Sequence, residues 1–307
     1  MKKFLIDIFI IAVLFLGPLY VLQFIVDNKA KNNYLDGTYR TLNTALYKKQ
    51  INADIVIFGN SRTQCHFDTR VMDSVLNVRC YNMGLSGFPF DIQYHLVIKP
   101  YLQNNIAPKL VVYEISPQAC LDHWNSIYQY HFLPYINNRT YDYYIDICDE
   151  ISVADRYLPF KYRGRSVKSF YQELTKITRS DEGKDCFTPI SKEDYSVNFI
   201  GEIYTLEKNP LIIKQLKEFV KECDENNIEL IFVTSPMHKD DFYNHCHTEE
   251  FLAMVDTISN WTNRLNYSLM FNSDTTFFAE STHLNAYGAT VFSIKLAHDI
   301  DSLGILK

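Results

Sequence analysis

The chain has 307 residues, a formal net charge of -6 and 47% hydrophobic residues. That length carries one large domain with a full core, or two small ones. The acidic balance excludes a general nucleic-acid binder, which needs a basic face. Aromatic residues reach 15%, mostly Tyr and Phe, which is read more simply as a compositional habit than as a carbohydrate-facing surface.

The first element is N-terminal. Residues 4–26, "FLIDIFIIAVLFLGPLYVLQFIV", carry one charge, Asp7, close to an end. At 1.5 Å per residue, roughly 20 residues cross a hydrocarbon core of about 30 Å, so this segment is long enough to span. Pro18 is tolerated in such a helix. A cleaved signal peptide has a shorter apolar region followed by a small-residue cleavage site. The following "VDNKAKNNYLDG" offers no A-x-A site. The expectation is an uncleaved anchor over residues 1–26 and a polar connector over 27–50. Lys2 and Lys3 precede the span and Lys29 and Lys31 follow it, so the Lys and Arg bias is balanced. The short leading segment favours N-inside, with the body of the chain extracytoplasmic, or periplasmic in a Gram-negative source.

Apolar runs then alternate with amphipathic ones. Strands are expected at "ADIVIFG" (53–59), "VRCYNMG" (78–84), "KLVVYEIS" (109–116), "IELIFVTSP" (228–236) and "YSLMFN" (267–272). Helices are expected at 90–104, where Pro100 kinks or ends the element, and at 209–227, 248–266 and 285–304. Continuous apolar strands separated by helices predict an α/β domain over 51–307, with a parallel sheet of about five strands covered on both faces. Residues 120–205 break this rhythm. They read as a mainly helical, aromatic-rich insertion that could cap the C-terminal edge of the sheet, where open α/β sheets place their sites.

Seven cysteines, at 65, 80, 120, 148, 186, 223 and 246, form no C-x-x-C and no zinc-like spacing. Cys246 lies between His245 and His247, with His238 nearby, but the expectation is no metal and no cofactor. Disulfide partners stay open.

Three features fall after strands. Ser61 follows the first, Gly84 in "NMGLSG" follows the second, and His283 in "AESTHLNAYGA" precedes the last helix. A neutral serine needs an adjacent base, and His283 suits that role. A carboxylate must fix the imidazole tautomer. Glu280, three residues earlier, is the candidate, with Asp274 as a nearby alternative. The N–H groups of Ser61 and Gly84 are candidate oxyanion donors. Asn60 and Arg62 flank the serine and either contact substrate or hold the loop. Asn285 is expected to cap the last helix. His238, in "TSPMHKDD", is a candidate substrate contact.

"VIFGNSR" (56–62), "YNMGLSG" (81–87) and "ESTHLNAYGATVFS" (280–293), in this order, resemble the motif blocks of the SGNH (GDSL-type) hydrolase and acyltransferase superfamily. The chain more closely resembles its membrane-anchored extracytoplasmic branch, which includes the alginate O-acetylation proteins and the D-alanyl transfer protein of teichoic acid synthesis. The resemblance covers residues 53–116 and 209–300. It implies a flavodoxin-like three-layer α/β/α fold with Ser61 as nucleophile, His283 as base and Gly84 as oxyanion donor. The family's usual aspartate is Glu280 here. Its G-x-N-D block is replaced by "YEISPQ" (113–118), so the usual Asn donor has no equivalent. That weighs against a free esterase more than against an acyltransferase. The implied function is an extracytoplasmic serine acyltransferase, moving an acetyl group onto a cell-envelope or exported polysaccharide. Its implied partners are a glycan acceptor and a polytopic membrane-bound O-acyltransferase that supplies the acyl group. An SGNH esterase or deacetylase of acylated glycans, and a non-catalytic glycan-binding scaffold, are the alternatives.

Overall fold

Five strands form one parallel sheet in the computed structural model, which describes residues 1–32, 37–47, 51–116, 131–147, 151–159, 161–162, 187–191, 210–239 and 249–306. They are β1 (Ile55–Phe58), β2 (Cys80–Asn82), β3 (Leu110–Glu114), β4 (Glu229–Thr234) and β5 (Asn263–Asn266). The order is β2-β1-β3-β4-β5, with every pairing parallel. This is the doubly wound order whose switch point lies between β1 and β3.

The sheet is covered on both faces. Ile55, Ile57, Leu110, Val112, Ile231 and Val233 share one apolar cluster with Met72 of α4 (Thr69–Leu76) and Phe292, Leu296 and Ile300 of the C-terminal helix, Ala286–Leu303. Alternate residues point the other way. Phe58 meets Tyr101 edge-on, and Tyr113 packs between Phe90 and Phe219. Strands buried on both faces read as continuous apolar runs, which is why β1, β3 and β4 are visible in the sequence.

Two elements depart from expectation. The fifth strand is Asn263–Asn266, so the helix expected to run to 266 ends at Ser259 and "YSLMFN" forms turns. β5 is a polar, half-exposed edge strand. The more apolar 267–272 instead turns Tyr267 and Phe271 into the core cluster. Pro100 neither ends nor breaks its helix. Phe90–Gln93 continues as a π-helical stretch, Tyr94–Ile98, and then as Lys99–Asn104. The wider turn just before Pro100, with the Lys99 N–H reaching Tyr94 O, accommodates a residue that cannot donate to the i-4 carbonyl.

The chain divides into two compact units, 1–39 with 126–182, and 40–125 with 183–307. The sheet belongs to the second. The first contains α1 (Lys2–Lys31), a 30-residue helix long and apolar enough to cross a membrane. The expected insertion thus divides: its 126–182 part groups with α1, and its ends, 120–125 and 183–205, fall in the unit that holds the sheet. The expected connector holds α2 (Gly37–Tyr47). Cys65 and Cys223 are buried free thiols, Cys80 is buried, and no metal-ligating cluster occurs among the described residues. Cys120, Cys148, Cys186, His245, Cys246 and His247 lie outside them.

Candidate active site

The serine is placed by a turn only glycine can make. Gly59 has φ +148, and a Cβ there would lie 2.1 Å from Thr63 Oγ1 and 2.9 Å from Glu114 Cβ. The chain then enters the short helix α3 (Ser61–His66). Asn60 caps it, its Oδ1 accepting the Arg62 N–H at 3.0 Å while its Nδ2 donates to Ser116 Oγ at 2.9 Å. Every residue of α3 except Ser61 is buried. The Ser61 N–H has no acceptor among the described residues.

The histidine arrives on a closed loop. Phe278 and Leu284 form an antiparallel bridge, and the Ala279 N–H donates to His283 O at 2.9 Å. Asn285 caps the C-terminal helix by accepting the Gly288 N–H at 3.0 Å, and its Nδ2 donates to Thr276 O at 2.9 Å and Phe278 O at 3.2 Å. One asparagine thereby ties the helix start to the turn before the histidine, which explains the spacing of "HLNAYG". Ser293, about two helical turns beyond Asn285, bridges His66 O and the Asp68 N–H and docks this helix against α3.

These two supports bring Ser61, His283 and Glu280 together. Ser61 Oγ lies 2.8 Å from His283 Nε2. His283 Nδ1 is bonded to Glu280 Oε1. A carboxylate on Nδ1 makes that nitrogen the donor, leaving Nε2 to accept the serine proton. Thr282 fixes the acid from both sides: its N–H donates to Oε2 at 3.0 Å and its Oγ1 to Oε1 at 2.7 Å. Burial pushes the Glu280 carboxyl up, but bonds from His283 and Thr282 and the imidazole charge outweigh it and hold the carboxyl at about 2. Asp274 is spent elsewhere, capping the Thr275–Phe277 turn through the Thr276 N–H at 2.9 Å. Cys65, on the nucleophile helix itself, is pushed up to about 12 by burial and by Glu280, so it is a thiol rather than a rival thiolate.

Three expected substrate contacts turn inward. Arg62 is 2% exposed, its guanidinium donating to Ser235 O at 2.5 Å and Pro236 O at 3.2 Å and lying 3.5 Å from Glu114 Oε1. Asn60 is 6% exposed, its side chain taken by the Arg62 N–H and Ser116 Oγ. His238 is buried, packs edge-on against Phe278, and donates its N–H to Ser281 O at 3.2 Å, bracing the loop that carries Glu280. The oxyanion expectation for Gly84 also needs correction. Its N–H is bonded to Asn82 Oδ1 at 3.0 Å, and a Cβ there would lie 2.6 Å from Gln64 N. Gly84 is required by the close approach of α3, while its amide is already satisfied.

A second polar chain, missed in the sequence, lies behind the three. His66 Nε2 accepts the Leu284 N–H at 3.0 Å, so its Nδ1 carries the proton and donates to Ser235 Oγ at 2.9 Å. Ser235 Oγ in turn donates to Glu114 Oε1 at 3.0 Å. Burial holds His66 well below the ordinary imidazole range, reinforced by Arg62 and His283, and burial raises Glu114 against the pull of Arg62. The His66 ring stands edge-on to His283 with centroids 5.9 Å apart. Only His66's place on the helix begun by Ser61 hinted at this role; the partners come from the ends of β3 and β4.

No protein-family model matches this sequence, and no curated protein sequence matches it significantly. Among solved structures, the chain is similar to a protein assigned to the G-D-S-L lipolytic family from Desulfitobacterium hafniense, at 10% identity over 80% of this chain and 99% of that one, TM-score 0.41. It is also similar to a protein assigned as an acylhydrolase from Bacteroides fragilis, at 11% identity over 90% and 98%, TM-score 0.41. A third is an alpha/beta hydrolase enzyme from the metagenome of Lake Arreo, Spain, at 11% identity over 85% and 98%, TM-score 0.41.

Proposed function

We propose that this protein is an extracytoplasmic serine acyltransferase of SGNH type, anchored by α1, that transfers an acyl group, acetyl foremost, onto a cell-envelope or exported glycan. The observation that carries the serine chemistry is the 2.8 Å contact of Ser61 Oγ with a His283 ring whose other nitrogen is held by Glu280. A scaffold without chemistry has no need of that alignment. The acceptor, the anchored extracytoplasmic placement and the polytopic membrane-bound O-acyltransferase as donor rest on the motif resemblance.

In the first half-reaction Ser61 Oγ bonds to the acyl carbon while its proton passes to His283 Nε2. The Ser61 N–H, without an acceptor among the described residues, donates to the developing oxyanion. Collapse breaks the bond to the donor's leaving group, which takes the proton from Nε2. In the second half-reaction a sugar hydroxyl gives its proton to Nε2 and attacks the acyl-serine ester. Ser61 Oγ leaves and recovers the proton. Throughout, Glu280 stays ionised and stabilises the imidazolium.

The test supplies p-nitrophenyl acetate with a hydroxylated glycan acceptor and measures acetyl ester on the glycan against free acetate. Transfer that rises with acceptor and disappears in Ser61→Ala supports the reading. Free acetate alone at every acceptor concentration makes the protein an esterase. No Ser61-dependent adduct with a fluorophosphonate, in folded protein, removes the enzyme altogether.

A further inference from the structure

α1 is more than a leader in front of a folded body. Val26 and Ala30, one turn apart, are buried, and Asp27 between them is bound twice. Its Oδ2 accepts from Lys161 Nζ at 2.7 Å and its Oδ1 from Tyr162 OH at 2.6 Å. The Lys161 side chain is 1% exposed, so without Asp27 a buried ammonium would lose its counter-ion. Further down the helix, Tyr20 OH donates to Tyr157 O at 2.5 Å.

Those two ties set the depth of the segment between them. Asp27 lies seven residues beyond Tyr20, about 10 Å along a helix axis. Lys161 and Tyr162 therefore meet α1 at the polar level of Asp27, and Tyr157 meets it at the level of Tyr20, inside the apolar stretch 4–26. At that level Tyr157 is 70% and Leu158 42% exposed, and on α1 itself Tyr20, Val21 and Phe24 are exposed. The turn presenting them is built: Ser152 and Asp155 form a capping box for Val153–Arg156, and Ala154 O accepts the N–H groups of Tyr157 and Leu158. An aromatic and an aliphatic residue fixed at this depth match the boundary between headgroups and acyl chains. Tyr is enriched there, and amphipathic elements bury about 5–10 Å.

We propose that the Tyr157–Leu158 turn is a second membrane contact, seated in the headgroup–acyl boundary against α1, and that α1 is retained in the mature protein because it supplies Asp27 to Lys161. This rests on α1 spanning the bilayer, as the proposed function has it, but not on the serine chemistry. The experiment uses the full chain in phosphatidylcholine–phosphatidylglycerol vesicles, with Tyr157→Trp and, separately, Leu158→Trp. The emission of the two natural tryptophans, Trp124 and Trp261, is subtracted using the unsubstituted protein. The added emission is expected to be blue-shifted and to lose about half its intensity when the acyl chains are brominated near the headgroup, as an interfacial depth requires. Added emission that stays water-like and unquenched, in protein that resists carbonate extraction, overturns the contact while leaving the anchor. Release by carbonate overturns both the contact and the anchoring. An intact mass lacking residues 1–26 in membrane-purified protein overturns retention. Fluorophosphonate labelling of Ser61 in the same samples reads the enzymatic proposal independently.

Discussion

Glu280→Gln tests the acid in a way this particular loop makes decisive. The amide replaces one carboxylate oxygen by an NH2, and the structure dictates which. At the Oε2 position sits the Thr282 backbone N–H at 3.0 Å, a donor that cannot turn away, so the amide oxygen is selected there. The NH2 then falls at the Oε1 position. Thr282 Oγ1, 2.7 Å from that position, can rotate its proton and accept. His283 Nδ1 can accept only by giving up its proton, which moves to Nε2. With Nε2 protonated, His283 cannot take the Ser61 proton, and the negative charge beside the imidazolium is gone. Loss of the correct tautomer is worth on the order of 10⁴ in rate. The expected result is a fall of that order in the fluorophosphonate labelling rate of Ser61 at pH 7. Stability should fall by only about 1 kcal/mol, discounted because the Glu280 side chain is 34% exposed. The stability difference also has a pH signature. The folded carboxyl sits at about 2 against an ordinary 4.5, so the stabilisation is complete above pH 4.5 and lost as pH falls from there toward 2. A Glu280→Gln protein that is folded and labels within tenfold of the unsubstituted rate would refute the acid's role.

Three further outcomes follow from the residues around the serine. Gly59→Ala forces a Cβ into Thr63 Oγ1 at φ +148; strain and overpacking together should cost about 2–6 kcal/mol in urea denaturation. His66→Gln removes a buried neutral imidazole whose folded pKa is depressed. The unfolded chain protonates His66 below pH 6.5, so the unsubstituted protein loses stability as pH falls, and the variant's slope should be shallower by up to about 1.4 kcal/mol per pH unit; equal slopes from pH 6.5 to 5 would contradict a neutral His66. Arg62→Met leaves Glu114 buried without its partner and should cost about 3–5 kcal/mol, whereas Arg62→Met with Glu114→Leu should recover most of that. Ser61 labelling should stay slow in both, because the guanidinium that ties α3 to Ser235 O is absent; full labelling in the double variant would show the tie to be idle.

The fold was legible where burial is two-sided. β1, β3 and β4 stand out as runs of Val, Ile, Leu and Phe because both of their faces are covered. β5 was misplaced because an edge strand carries no such signature. "NRLN" is half exposed, and its apolar successor, "YSLMF", reaches the core from turns. Pairing in a parallel sheet is set by the neighbouring strand, so a polar edge segment becomes a strand through β4 rather than through its own propensity. The π-helical passage before Pro100 was equally hidden. The sequence shows the missing donor but not how the backbone absorbs it.

The site shows the opposite inversion, and it explains why the serine could be located while its supports could not. "GNSRTQCH" is a polar stretch after a strand, and polarity there ordinarily means solvent. In the structure the polar groups are consumed at neighbouring strand ends: Asn60 by Ser116, Arg62 by Ser235 and Pro236, Thr63 by Phe58 O, Gln64 by Gly84 O, His66 by Ser235 and Leu284. A six-residue helix has little stability of its own. Its orientation must come from these long-range bonds, each made to an element distant in sequence or brought close by a glycine. Among the described residues of this stretch the one hydroxyl without such a duty is Ser61, which bonds His283 instead. The nucleophile is recognisable because its partner motif, "ESTHLNAYG", takes much of its shape from local bonds, Glu280 with Thr282 and His283, and Asn285 with Thr276, Phe278 and Gly288. The bonds that hold α3 in place leave no periodicity, since their partners are scattered over the ends of β1, β2, β3 and β4 and the loop that carries His283.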